Sequence, residues 1–167
     1  SNFVSAIEDM KSMGINIKDY DLDITKMKEW KDGILEKLGN GIKGLCDKYG
    51  IEVIHGKGVF RSSDEVHIEG QSDVTSIKFK KAIIASGSSP IEIPGFSFES
   101  EAVMSSRDAL SIMEIPKKLV IIGGGYIGTE MGTVYAKLGS EVHIVEMQPR
   151  LLSGLDEEIV NVFAKKL

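Results

Sequence analysis

The segment Gly123-Gly124-Gly125-Tyr126-Ile127-Gly128 constrains this chain more than any other stretch. It satisfies G-x-G-x-x-G, a pattern that decides little on its own because glycine triplets also occur in loops. Its surroundings decide more. The apolar run Leu119-Val120-Ile121-Ile122 leads into it, and residues 126–138 leave it with Met131, Val134, Tyr135 and Leu138 at helical spacing. In such a strand–turn–helix, Gly123 permits the tight turn and Gly125 lets the backbone approach a pyrophosphate. Gly128 then lets the helix lie close to the strand. The start of the helix offers free N–H groups and the positive end of its dipole to that anion. Residues 141–146 read as the next strand, so 119–146 is expected to form a βαβ unit with parallel strands and a right-handed crossover. Glu146 closes that strand 18 positions after Gly128. An acid at this point accepts hydrogen bonds from the adenosine ribose and repels a 2′-phosphate. NAD is therefore expected over NADP, with nearby Arg150 the one residue that counts the other way. The plain alternative is a glycine-rich turn with no ligand, and the coincidence of strand, loop, helix and acid argues against it.

Pro116 introduces this unit and a second helix over 156–167 follows it. Two parallel strands are few for such a layer, and the chain is expected to be a fragment of a larger protein. Upstream, Ile24, Met27, Ile34, Leu38, Ile42, Leu45 and Tyr49 keep one apolar stripe in helical phase. Asp23 is placed as its N-cap and Gly50 as its C-cap. Asn40-Gly41 read alone suggests a hairpin turn, but the stripe continues in phase on both sides, and a helix is expected. The period then becomes strand-like over 51–54, 66–68, 74–79 and 82–85, with turn chemistry at 61–64 and 69–73. This predicts a small antiparallel excursion returning into a buried strand at 82–85, where Ile83-Ile84-Ala85 lacks alternation. Residues 88–95, with Pro90 and Pro94, read as an exposed connection, and 106–113 as a short helix capped by Ser105 or Ser106.

The 167 residues are 42% hydrophobic and 27% charged, which fits a globular chain. A net charge of -5 disfavours nucleic-acid binding. The apolar runs are too short to span a bilayer, residues 1–4 do not resemble a secretory signal, and a cytoplasmic location is the default expectation. One cysteine, Cys46, excludes an internal disulfide, and its place in the helical stripe reads as packing. His55, His67 and His143 lack metal-ligand spacing, so no metal site is expected. No catalytic acid–base or nucleophile arrangement can be placed. The small residues ending 82–88 suit a ligand approaching the backbone, but fit an ordinary strand exit as well. Gly56-Lys57-Gly58 has the same two readings, with a tight turn as the second.

Together these segments resemble the flavin-dependent pyridine nucleotide–disulfide oxidoreductases, nearest their dihydrolipoamide-oxidising branch, over almost the whole chain. Ile54-His55-Gly56-Lys57-Gly58-Val59-Phe60 is similar to the family's G-x-G segment beside the flavin's adenosine half. Ala82-Ile83-Ile84-Ala85-Ser86-Gly87-Ser88-Ser89-Pro90 is similar to its second flavin motif, with Ser86 keeping the hydroxyl of the usual threonine. Residues 123–130 and 139–146 resemble its NAD motif, and Arg150-Leu151-Leu152 and Asp156-Glu157-Glu158-Ile159 continue the likeness. The resemblance implies an α/β, Rossmann-like FAD/NAD(P)-binding fold containing parts of two nucleotide-binding domains. Residues 1–112 would be the C-terminal part of an FAD domain, with the long helix, the excursion and a linker. Residues 113–167 would open an NAD domain as βαβα. FAD would be held by Gly58, Ser86, Gly87 and Ser88. NAD would be held by Gly123, Gly124, Gly125, Tyr126, Ile127, Gly128, Thr129 and Glu130, with Glu146 on the ribose. Glu130 would sit near the nicotinamide, and Tyr126 matches an aromatic that covers the flavin in some relatives. A dihydrolipoamide-bearing partner protein and a homodimer are implied for the intact enzyme. The family's first G-x-G-x-x-G, its Cys-x-x-x-x-Cys and its catalytic His and Glu are not matched here, so no catalytic residue is expected in this chain. A sister flavoprotein disulfide reductase, an NADH oxidase, or a non-catalytic NAD-binding module are the competing readings.

Overall fold

The computed structural model describes residues 2–17, 19–70 and 76–165. The chain packs as two units, Trp30–Ser89 on one hand and Ser1–Glu29 with Pro90–Leu167 on the other.

The long helix forms as its capping residues require. Helix α2 runs Ile24–Tyr49, after a first helix α1 at Asn2–Ser12. Asp23 Oδ1 accepts the Lys26 N–H at 2.9 Å, which satisfies one of the unpaired donors of the first turn. At the other end Gly50 takes φ +65°, and the Ile51 N–H reaches back to the Cys46 carbonyl at 2.9 Å. This is a glycine-terminated helix end. Asn40-Gly41 stays helical, but the apolar stripe finds no cover. No residue of α2 is buried, Ile42 and Tyr49 are 65% and 70% exposed, and Cys46 is only half-buried.

Strands β2 (Glu65–Glu69) and β3 (Ser76–Lys78) fall within the expected antiparallel excursion, but the strand that completes it, β1 (Lys57–Phe60), was not among the expected strands and takes Lys57 and Gly58 into the ladder rather than a tight turn. Gly58 stands opposite Ile68, and Val66 opposite Ile77. The first turn closes through Ser62, whose hydroxyl donates to Asp64 Oδ1 at 2.6 Å. Phe60 and Phe79 meet edge to face at 5.9 Å. Residues 71–75, which include the turn at 71–73 and the start of the strand expected from 74, lie outside the described residues.

Two expected strands are absent. Residues 51–54 and 82–85 have no regular structure, and Ile83 and Ile84 are 95% and 74% exposed. A strand exists only through its ladder, and among the described residues nothing pairs with either segment. Ala82–Ala85 is therefore not buried, contrary to the sequence reading.

In the other unit, β4 (Lys118–Ile122) pairs parallel with β5 (Glu141–Val145), Ile121 opposite Ile144. Helix α4, Tyr126–Lys137, connects them as expected. It lies close to the sheet at Gly132, where an added Cβ would meet Ile144 Cδ1 at 3.2 Å and Ile121 Cδ1 at 3.3 Å. Buried Tyr135 donates its hydroxyl to the Ala109 carbonyl at 2.8 Å. That bond fastens α4 to α3, Ser106–Ser111. Helix α3 begins with a full capping box between Ser105 and Asp108. Ser140 anchors the start of β5 by donating to the Pro116 carbonyl at 2.6 Å. The opposite sheet face stays open, with Val120 60% and Val145 55% exposed. Helix α5, Glu157–Ala164, starts on Asp156, which accepts the Glu158 N–H; residues 166 and 167 of the expected helix lie outside the described residues. Helix α1 packs against α4 and was not anticipated, although Phe3, Ile7 and Met10 repeat at helical spacing. No helix among the described residues is long and apolar enough to cross a membrane.

Candidate functional site

The carboxyl ends of β4 and β5 bring Gly123, Gly124, Gly125, Gly128 and Glu146 together, and each glycine answers a different demand. Gly123 turns out of β4 at φ +107°, a conformation that L side chains rarely adopt. Its N–H still reaches the Val145 carbonyl at 2.8 Å, extending the parallel ladder by one bond. A Cβ on Gly128 would collide with the Gly123 carbonyl oxygen and stand 3.2 Å from Ile121 Cγ2. A Cβ on Gly124 would lie 2.5 Å from Leu151 Cδ2 and 3.1 Å from Glu146 Cβ. Gly125 is different. Its φ is -74° and a Cβ there would meet nothing within 4 Å. Neither conformation nor packing asks for glycine, and the space it leaves open lies at the start of α4.

That helix start has no side-chain cap. Its leading N–H groups have no partners within the helix and carry the positive end of the dipole. An open approach at Gly125 and an uncapped helix start together fit a phosphate group.

Glu146 stands beside this loop with both oxygens oriented by backbone. Oε2 accepts the Gly124 N–H at 2.6 Å, and Oε1 accepts the Gln148 N–H at 2.7 Å. These bonds, Gln148 foremost and then Gly124, hold the carboxyl below its ordinary range, so it is charged at neutral pH. Each oxygen keeps a further lone pair for a ribose hydroxyl. Arg150 does not offer its fork to a 2′-phosphate. Its Nη2 donates to the carbonyls of Ser153 and Leu155 at 3.1 and 2.9 Å.

The remaining expected residues divide. Tyr126, Ile127 and Glu130 are exposed on the first turns of α4. Thr129 is buried, and its hydroxyl turns back to the carbonyls of Gly125 and Tyr126. Gly58 lies within β1, where a Cβ would stand 3.4 Å from Val66 Cγ1. Ser86, Gly87 and Ser88 lie on an exposed irregular segment with Gly87 at φ +71°. Both belong to the unit Trp30–Ser89.

Sequence reasoning missed Leu151 and Leu152. Leu151 packs where Gly124 lacks a side chain. Leu152 donates its N–H to the Gly124 carbonyl at 2.8 Å. The family likeness at Arg150-Leu151-Leu152 gave neither of these contacts.

Residues 4–167 match the family model of the pyridine nucleotide-disulphide oxidoreductases. Among curated proteins, the dihydrolipoyl dehydrogenase of Bacillus subtilis is 42% identical over 155 residues, covering 93% of this chain and 33% of that protein. That of Vibrio parahaemolyticus is 38% identical over 164 residues, covering 96% of this chain and 34% of the other. Among solved structures, the Cu(II) complex of the HOCl-induced flavoprotein disulfide reductase RclA from Escherichia coli matches with a TM-score of 0.72. It is 27% identical and covers 87% of this chain and 33% of its own. The chain thus spans about a third of the length of the curated relatives it matches.

Proposed function

This chain belongs to the pyridine nucleotide-disulphide oxidoreductase family, and on that premise we propose that it is the central part of a dihydrolipoyl dehydrogenase using FAD and NAD. The observation that carries the reading is the 42% identity to the Bacillus subtilis enzyme across 93% of the chain. The likeness to the flavoprotein disulfide reductase supports a sister activity less well, at 27% identity.

In this reading residues 1–112 belong to the FAD domain and 113–167 open the NAD domain. Gly58, Ser86, Gly87 and Ser88 face FAD. Gly123, Gly124, Gly125, Tyr126, Ile127 and Gly128 cradle the NAD pyrophosphate at the start of α4. Thr129 supports that turn from within through its bonds to the Gly125 and Tyr126 carbonyls. Glu146 accepts from the adenosine ribose and keeps a 2′-phosphate away, while Glu130 faces the nicotinamide side. Held by these residues, FAD would supply two-electron redox chemistry between dihydrolipoamide, oxidised to its disulfide, and NAD, reduced to NADH with release of one proton. This chain's own part is to bind and orient nucleotides. With Cys46 its one cysteine, it cannot form the redox disulfide within itself and is inactive alone. The intact enzyme is a cytoplasmic homodimer acting on a dihydrolipoamide-bearing protein.

A chimera tests this directly. Residues 1–167 replace the matching third of the Bacillus subtilis enzyme, and flavin absorbance and dihydrolipoamide:NAD turnover are measured. Retention of both is expected. A chimera that folds and holds flavin but turns over no dihydrolipoamide would overturn the substrate assignment. One that holds no flavin would overturn the FAD assignment of Gly58 and Ser86–Ser88.

A further inference from the structure

The loop after β5 holds a non-glycine residue in a conformation that needs explaining. Leu152 sits at φ +49°, in the left-handed region that costs an ordinary side chain about 1–2 kcal/mol. Such a residue persists only where its surroundings over-determine it. Three sets of bonds do so. The Leu152 N–H is tied to the Gly124 carbonyl at 2.8 Å. The Leu152 carbonyl accepts the Leu155 N–H at 2.8 Å. Around them, the Arg150 guanidinium spans the turn, with Nη2 on the carbonyls of both Ser153 and Leu155. Its Nη1 is buried and has no hydrogen-bond partner. A guanidinium held with an unsatisfied buried donor is an expensive arrangement for a surface turn to keep.

What the turn presses on is the backbone of Gly124, on both its flanking peptide groups. Leu152 fixes its carbonyl, and Leu151 fills the space where its side chain would be. The N–H of that same glycine is the donor that aims Glu146 Oε2. We propose that Arg150 is a positioning residue for NAD recognition: by locking the turn at 150–155 it sets the backbone of Gly124, and through its N–H the carboxylate of Glu146 that receives the ribose. Arg150 touches no part of the nucleotide. The inference rests on the proposed NAD site and deepens it, making cofactor choice depend on an arginine that in sequence reads as a 2′-phosphate ligand.

Two measurements test it on this chain, with circular dichroism confirming that each variant is folded. The first needs no nucleotide. NMR titration of the Glu146 carboxyl is expected to show its pKa rise part of the way toward the ordinary carboxylate value in R150M: the Gln148 N–H, the larger cause of the lowering, stays in place, while the Gly124 N–H is no longer held on Oε2. An unchanged titration would overturn the inference. The second is a fluorescence titration with NADH and NADPH in a double-mutant cycle with E146Q. R150M is expected to weaken NADH binding about tenfold in the parent chain and less than twofold in the E146Q background, with little change for NADPH. Equal losses in both backgrounds would make Arg150 an independent staple, and a larger loss for NADPH would make it a phosphate ligand; either refutes the proposal. R150K, which keeps the charge but not the planar fork, should fall between parent and R150M and carries the same cycle if R150M does not fold. A parent chain that binds no NADH while the carboxyl titration still responds to R150M would refute the NAD reading but leave the Arg150–Glu146 coupling standing.

Discussion

At Gly124 and Gly125, adjacent glycines do opposite work, and substitution separates them. Gly124→Ala drives a methyl into Leu151 and Glu146 and is expected to destabilise the fold by about 1–3 kcal/mol, read as a lower urea midpoint. Gly125→Ala meets open space and should stay within about 1 kcal/mol of the parent. It should nevertheless weaken NADH binding about tenfold or more, because its methyl occupies the approach to the helix start. Equal NADH affinity in Gly125→Ala would show that the space serves no ligand. Glu146 makes a prediction in pH. Its folded pKa lies below the ordinary 4.5 because of the Gln148 and Gly124 N–H groups. Its contribution to stability is therefore complete above about pH 4.5 and is lost as pH falls through the lower folded value. The stability gap between the parent and Glu146→Gln should be constant from pH 7 to 5 and close below that window, as followed by urea midpoints. The backbone demands on Gly123 and Gly128, and the place of Glu146 beside the loop, were legible in sequence because they follow from spacing along one strand–turn–helix. Those of Leu151 and Leu152 were not, since their contacts return from a loop that carries no periodicity.

Among the elements, helices with a capping signal were read more securely than isolated strands, and α1, for which no such signal was read, was missed. Helix α2 begins at Asp23 and ends at Gly50 because both caps are local hydrogen-bonding devices. Strands β4 and β5 were legible because the connecting helix brings each the other as a partner. Residues 51–54 and 82–85 have the composition of strands but no partner among the described residues, and composition alone makes no ladder. Gly132, a glycine inside a helix, has no sequence signature of its own, and its lack of a side chain lets α4 approach Ile121 and Ile144. The Tyr135 bond to Ala109 is one tie between α4 and α3. Tyr135→Phe keeps the ring in place and removes that bond, leaving the Ala109 carbonyl without it. A loss of about 1–2 kcal/mol is expected in thermal unfolding; no change would show that the two helices are held by packing alone.

For the whole molecule, little apolar surface is fully covered. Among the described residues the buried apolar side chains are Tyr135 and Val160, while the stripe of α2 and the outer face of β4–β5 stand exposed. Marginal stability follows, since a chain that buries little has little to set against its conformational entropy. Ile42, 65% exposed, supplies the test. Ile42→Glu should change stability by no more than about 0.5 kcal/mol in this chain, measured by chemical denaturation. A loss of about 3 kcal/mol, typical of a core position, would show that the stripe is covered in solution.

The unequal glycines of the turn also bear on how such a motif is inherited. Gly123 and Gly128 answer to the backbone itself, and a descendant that had abandoned nucleotides would still need them in order to fold. Gly125 alone is free of that constraint. In a lineage released from binding it is the position that selection would stop guarding, and the first substitution to become fixed there would mark the loss. An intact G-x-G-x-x-G therefore certifies a fold twice and a ligand once.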